Sequence, residues 1–313
     1  MTYGDSRVEK HAVICCCELS TSVNVYTDRS TWASCFCSLF SLSTLTVAPC
    51  KQGTQKSTVY NSLRLTPASD GPSWWLDVRG VQKLPVISLA SPKGGAGKST
   101  SAVLLACELA EPGRKVTVID ADPNRPVFKW AQRPGKPETL TVLEDVTEDT
   151  IIDTIENASL GSNFVIVDLE GTASIMVALA ISRADLVIIP SQGSHLDAEQ
   201  AARAVQLVRM NEKRFRVAIP MAVLFTRTSA AIRTRDLKRI EANFAKAGVS
   251  VFDTRLTERA PYRALFAYGG TLSSLDPSQV SGIPQAKENA KAFADETLSI
   301  LRSQPVRQIN KVA

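Results

Sequence analysis

From residue 84 onward, short β-branched and aliphatic runs alternate with longer segments whose apolar positions recur every three or four residues. The runs are "VISLAS" from Val86, "KVTVID" from Lys115, "TLTVLE" from Thr139, "FVIVDL" from Phe164 and "DLVIIPS" from Asp185. "VAIPMAVLFT" from Val217 and "VSVFDT" from Val249 follow. Each reads as a strand. The helical spacing predicts helices over residues 98–111, 147–160, 173–183, 196–212, 233–247 and 285–302. Strands alternating with helices build βαβ units, so the expected fold is a mostly parallel twisted sheet with helices on both faces. No internal repeat interrupts the alternation.

The first 83 residues do not share this pattern. Ser, Thr and Cys dominate them, and "TPASDGP" reads as loop. Six of the seven cysteines lie here, at Cys15, Cys16, Cys17, Cys35, Cys37 and Cys50, with only Cys107 beyond. "CCC" and "CFC" lack zinc-ligand spacing, and a disulfide framework belongs to a small secreted domain. Trp32 to Pro49 is the one apolar candidate for a membrane segment. It is rich in Ser and Thr, and shorter than the ~20 apolar residues a spanning helix needs. It starts too late for a signal peptide and lacks the charged flank and cleavage site. The expectation is a cytoplasmic protein with two parts. Residues 1–83 form an N-terminal extension that is weakly ordered or not translated in the cell, and residues 84–313 form the functional domain. Met1 is the only methionine before Met176, so a shorter product requires a non-ATG start near residues 81–86. Tryptic peptides from residues 8–64 of the native protein would exclude that start.

The chemistry concentrates in "VISLASPKGGAGKST", Val86 to Thr100. A strand, a glycine-rich turn and a helix beginning at Lys98 are the context a phosphate-binding loop demands. Gly94, Gly95 and Gly97 let backbone N–H groups approach phosphate oxygens, and the helix N-terminus adds its dipole. Lys98 supplies charge to the β- and γ-phosphates, and the Ser99 hydroxyl suits Mg²⁺. The general motif has a glycine where Pro92 stands, and Lys93 follows it.

"KGGAGKST" resembles the deviant Walker A motif of the ParA/MinD superfamily, K-G-G-x-G-K-[ST], without a mismatch. The resemblance implies a P-loop NTPase fold, a three-layer α/β/α domain that binds ATP and Mg²⁺ through Gly94, Gly95, Ala96, Gly97, Lys98, Ser99 and Thr100. It also implies an ATP-dependent sandwich homodimer in which Lys93 crosses to the partner's nucleotide while Lys98 serves its own. Two triphosphates brought together repel, and a lysine inserted from each side offsets that repulsion. Loss of the γ-phosphate should loosen the clamp.

Two acidic segments extend the likeness. "VTVIDADPNRP" resembles the superfamily's D-x-D-P-Q motif, with Asn124 in place of Gln. By that resemblance Asp122 orients the attacking water and joins Lys93 and Lys98 as a catalytic residue, while Asp120 lies nearer the Mg²⁺ shell. Two acids at this spacing after a strand also suit capping of the following helix. "FVIVDLEGT" resembles Walker B, with Asp168 at the strand end where a carboxylate holds Mg²⁺ through water. Ser99, Asp120 and Asp168 are therefore the implied metal residues. Glu170 departs from the usual D-T-P or D-x-x-G continuation; it either faces solvent or modulates hydrolysis. In "VLFTRTSAAIRTRDL", Thr226 and Arg227 fall near where superfamily members contact adenine. "RAPYRALFAYGGTL" also resembles partition ATPases. His195 suits a helix-start role better than a catalytic one.

The chain carries a net charge of +5, and the interval from Arg203 to Arg239 is more basic than the whole. It holds ten basic residues against Glu212 and Asp236. Arg209, Lys213, Arg214, Arg233, Arg235, Lys238 and Arg239 are the candidate DNA contacts, and duplex backbone suits a cationic face with few aromatics. ParA relatives bind DNA non-specifically as ATP dimers and are released when a ParB-like centromere-binding partner stimulates hydrolysis. The implied function is plasmid or chromosome partition at the nucleoid. An accessory role recruiting a relaxase complex in conjugation or T-DNA transfer is the alternative, and an ATP-binding scaffold without turnover is a third possibility. "SILRSQPVRQINKVA" is broken by Pro305 and has no aromatic anchor, so the membrane-binding tail of MinD relatives is not expected. Cys107 alone does not supply an iron–sulfur site.

Overall fold

A computed structural model describes residues 84–303 apart from 172 and 229–234, together with the backbone of five strands between residues 13 and 60. The weak-order and non-translation expectations for residues 1–83, Arg233, and the tail from residue 304 lie largely outside the described residues. The chain divides into two compact units, Met1–Pro72 and Ser73–Ala313. In the first, β1 (Val13–Cys15), β2 (Ser22–Thr27) and β3 (Thr31–Phe36) form an antiparallel sheet. There, β4 (Val47–Pro49) pairs antiparallel with β5 (Thr58–Tyr60).

The second unit is built on eight strands in all-parallel pairing. They are β6 (Val86–Leu89), β7 (Val116–Ala121), β8 (Leu140–Leu143), β9 (Phe164–Leu169), β10 (Leu186–Ser191), β11 (Met221–Thr228), β12 (Ser250–Val251) and β13 (Leu256–Thr257). Their order is β12-β11-β10-β6-β9-β7-β8, with β13 also pairing β11. The connecting helices are α1 (Lys98–Ala110), α2 (Pro126–Ala131), α3 (Ile151–Gly161), α4 (Ile175–Arg183), α5 (His195–Phe215), α6 (Arg235–Lys246), α7 (Ala260–Tyr268) and α8 (Ile283–Ser303).

Successive residues of a strand point to opposite faces, and here each face meets its own core. Ile87, Leu89, Phe164, Ile166, Leu186 and Ile188 pack with α1, α2, α7 and α8. Val165, Val167, Val187 and Ile189 pack with α3, α4, α5 and α6. Both faces are covered, which is why these strands are apolar throughout rather than alternating. The result is the expected three-layer α/β/α sandwich.

The differences from the expected elements have local causes. The run from Val217 does not begin as strand, because α5 continues to Phe215 and Arg216 closes it at φ 52°. Glu212 then takes the next amides: its carbonyl accepts from Val217 N–H and its carboxylate from Ile219 N–H. β11 starts only after Pro220. Helix α3 begins at Ile151 rather than residue 147, with Thr147 and Thr150 bonded to each other in the preceding turn. Two short helices, α2 and α7, were not anticipated. Each has a proline in its first turn, where the missing N–H costs nothing.

Candidate functional site

The phosphate loop leaves the C-terminal end of β6 at the centre of the sheet and enters α1. Gly95 (φ 77°) and Gly97 (φ 98°) occupy left-handed backbone that side chains resist. A Cβ on Gly97 would also press on the Thr226 side chain at 3.3 Å. Helix α1 has no side-chain N-cap and no acid in its first turn, so its leading amides and dipole remain available to an anion.

The loop is braced from behind. Thr226 on β11 donates to Ala96 O at 2.7 Å, and Gln192 Nε2 donates to Gly95 O at 3.1 Å. Thr226 and Ala96 are buried and do not line the cavity; their geometry is that of a support. Lys98 is buried, with Nζ only 3.4 Å and 3.5 Å from Ser91 O and Lys93 O. Burial lowers its pKa, and the neighbouring charges of Asp168, Asp122 and Glu170 work against that fall.

A cavity of about 450 Å³ opens over this loop, within the range of small-molecule sites. Gly94, Gly95, Gly97, Lys98, Ser99 and Thr100 form its floor, and Asp122, Asn124, Glu170, Gly171 and Arg227 its walls. Arg227 reaches it from the end of β11 with φ 51°. Glu170 is thus part of the cavity lining.

The three acids differ in their surroundings. Asp168 is fully buried, and neither carboxylate oxygen has a hydrogen-bond partner. Burial pushes its pKa up to about 7; the Ser99 hydroxyl, nearby but not in hydrogen-bonding geometry, and Lys98 pull against it, and Asp120 adds to it. A buried carboxylate left without a partner is costly. A hard cation would satisfy it, and the Ser99 and Asp120 oxygens are chemically suited to join it. Among the described residues no cluster of three or more His, Cys, Asp or Glu forms a metal site. A cation here would complete its shell with nucleotide and water oxygens.

Asp120, near the end of β7, does a second job of the capping kind. Its Oδ2 accepts from Phe128 N–H at 2.8 Å and its Oδ1 from Asp122 N–H at 3.3 Å, tying the start of α2 to β7. Burial raises its pKa, partly offset by these amides. Asp122 accepts through Oδ1 from both Asn124 N–H (2.8 Å) and Asn124 Nδ2 (3.0 Å). The shorter amide at position 124 thus closes a tight local turn.

Lys93 stands outside the cavity floor. Its Nζ donates to Asp197 Oδ1 at 2.5 Å, from a side chain 43% exposed to one only 6% exposed. Asp197 is held by the cap of α5: the Ser194 hydroxyl accepts from Asp197 N–H and donates to Asp197 Oδ2. Burial would raise the Asp197 pKa, but the Lys93 and Ser194 hydrogen bonds and the lysine charge outweigh it and hold it below the usual range. Nothing near position 93 signalled this contact, 104 residues away in the chain. His195, the first residue of α5, is 90% exposed.

Of the basic candidates, Lys213 and Arg214 lie exposed at the end of α5, and Arg235, Lys238 and Arg239 on α6. Arg209 is also exposed, but its guanidinium donates to Ala247 O and so links α5 to the segment after α6. Both helices cover the same face of the sheet.

A parallel α/β/α sandwich with a glycine-rich loop at its central strand, two lysines and strand-end acids defines a P-loop protein of the ParA/MinD superfamily. Within it, the chain belongs to the VirC1 protein family, which matches residues 84–296. It is 46% identical over 211 residues to a ParA protein of Rhizobium radiobacter, spanning 67% of this chain and 95% of that one. It is 30% identical over 162 residues to VirC1 of the same species, spanning 50% and 70%. Among solved structures, an ATP complex of McdA from Cyanothece superposes with a TM-score of 0.57 at 18% identity, covering 69% of this chain and 97% of that one.

Proposed function

We propose that this chain is a partition ATPase that binds Mg²⁺–ATP, pairs with a second copy of itself, and coats duplex DNA until hydrolysis releases it. The observation that carries the reading is Lys93, set beside a complete phosphate loop yet directed away from its own cavity toward Asp197. A lysine so placed is free to serve another subunit's nucleotide once Asp197 lets go. Leu196 (73% exposed) and Ile175 (59% exposed), at the starts of α5 and α4, give that side apolar surface suited to a second copy.

In the reaction, the loop amides and Lys98 hold the phosphates, while Ser99, Asp120 and Asp168 would hold Mg²⁺. Mg²⁺, when bound, offsets charge on the β- and γ-phosphates. Asp122 accepts a hydrogen bond from the attacking water, and Arg227 closes the cavity wall. Catalysis at such a site is positioning and electrostatics. The exposed cations of α5 and α6 would meet DNA phosphates. A ParB-like partner would stimulate turnover, and the protein would reside in the cytoplasm at the nucleoid. Among the described residues no helix is long and apolar enough to cross a membrane.

The VirC1 match supports a second reading, an accessory ATPase that recruits a relaxase complex for conjugation or T-DNA transfer. Co-purification with a ParB-like protein or with a relaxase separates the two. ATP hydrolysis measured with and without duplex DNA and partner tests the shared core. Lys98→Ala should abolish nucleotide binding; a wild-type chain that binds ATP and never turns it over would overturn the enzyme reading.

A further inference from the structure

We propose that Glu170 is a second water-holding carboxylate, set beside Asp122, which helps aim the nucleophile at the γ-phosphate; this rests on the ATPase reading above. The β7–β9 ladder pairs Asp120 with Asp168 and Ala121 with Leu169. One step further along both chains stand Asp122 and Glu170. Both strands end at that last pair, and the two acids follow it in the turns that lead out of the sheet. Both residues line the cavity.

The position is at the phosphate end of that cavity. Gly171, the next residue, passes so close to the loop that a Cβ on it would lie 3.6 Å from Gly94 N and 3.7 Å from Lys98 Nζ. The charge of Glu170 is accordingly felt by Lys98. Asp122 has one oxygen engaged by Asn124, which leaves Oδ2 for water. Glu170 has no hydrogen bond or ion pair among the described residues. Two like charges side by side repel, and a water donating one hydrogen to each relieves that repulsion. It also fixes the direction of the water's lone pair. In the step it serves, the water oxygen bonds to the γ-phosphorus as the bond from that phosphorus to the β–γ bridging oxygen breaks. ADP and orthophosphate result, and the proton that water loses ends on phosphate or in solvent.

The test uses the full chain with Mg²⁺–ATP for turnover and Mg²⁺–AMPPNP for binding. Glu170→Ala should lower kcat at least tenfold with AMPPNP affinity within twofold of wild type. Glu170→Gln, which keeps an acceptor oxygen and nearly the same shape, should recover part of the rate. Combined with Asp122→Asn, Glu170→Ala should cost less than the product of the two single losses, as for residues acting on one water. Rates within twofold of wild type in both Glu170 variants would overturn the inference. So would a loss fully explained by weaker AMPPNP binding, or tighter binding with unchanged kcat, which marks Glu170 as a repulsive charge alone. A wild-type chain that binds AMPPNP yet releases no phosphate from ATP would bring down the ATPase reading, and this inference with it.

Discussion

Replacing Asp197 with Asn should make nucleotide-driven pairing tighter. Lys93 is held by Asp197 within its own chain, and a lysine cannot reach a second subunit while so held. At an effective dielectric of about 20 the gross attraction at this separation is several kcal/mol. Desolvation of the buried acid and the exposure of Lys93 reduce this to about 1–2 kcal/mol per ion pair, between an exposed ion pair and a hydrogen bond to a charged group. A two-lysine interface breaks two such pairs. Removing both should favour the dimer by about 2–4 kcal/mol, roughly 30- to 1,000-fold in its dissociation constant. Asn is nearly isosteric, and the Ser194 cap uses the backbone N–H of residue 197, so α5 should start as before. Sedimentation equilibrium with Mg²⁺–AMPPNP over a protein dilution series reads the constant directly. An unchanged or weaker dimer, with thermal stability intact, would refute the idea that Asp197 restrains Lys93.

Two further outcomes follow from surface and buried charge. Changing Lys213, Arg214, Arg235 and Lys238 together to Ala should weaken duplex binding and flatten the log–log salt slope by about 0.9 for each phosphate no longer neutralised; an unchanged slope would remove α5 and α6 from the interface. Half-buried Glu108 on α1 is pushed up to about 7, by burial first and Glu111 next, with Lys291 and Lys287 pulling it down. Its folded pKa exceeds its unfolded value, so the folded state holds a proton that the unfolded state has lost between about pH 4.5 and 7, and stability falls as pH rises through that window. Glu108→Gln should gain about 1 kcal/mol at pH 8, after allowance for solvent screening, and nothing at about pH 4, as read by urea denaturation. Equal gains at both pH values would contradict the cause.

What could be read in the chain, and what could not, divides along locality. The loop from Lys93 to Thr100 was legible because strand, glycine turn and helix are contiguous, and the left-handed Gly95 and Gly97 stand where that reading requires. Asp168 was legible because an apolar strand delivers it to the C-terminal end of the sheet; its unpartnered burial was not, since that depends on β6 and β7 flanking it. Thr226 was placed near adenine by likeness; its bond to Ala96 O, across 130 residues of sequence, needed the fold. The Lys93–Asp197 pair and the position of Glu170 needed the strand order, which no periodicity encodes. The helices α2 and α7 escaped because one and two turns give too few apolar repeats. Trp130 and Gly270 show what holds them instead: the indole N–H donates to a carbonyl 140 residues away.

The central claim is that Lys93 acts on the nucleotide of a second copy. Analytical ultracentrifugation of wild type and Lys93→Ala, each saturated with Mg²⁺–AMPPNP, tests it most directly. The account predicts a wild-type dimer and a Lys93→Ala monomer that still carries the analogue. A variant that pairs as tightly as wild type would contradict it.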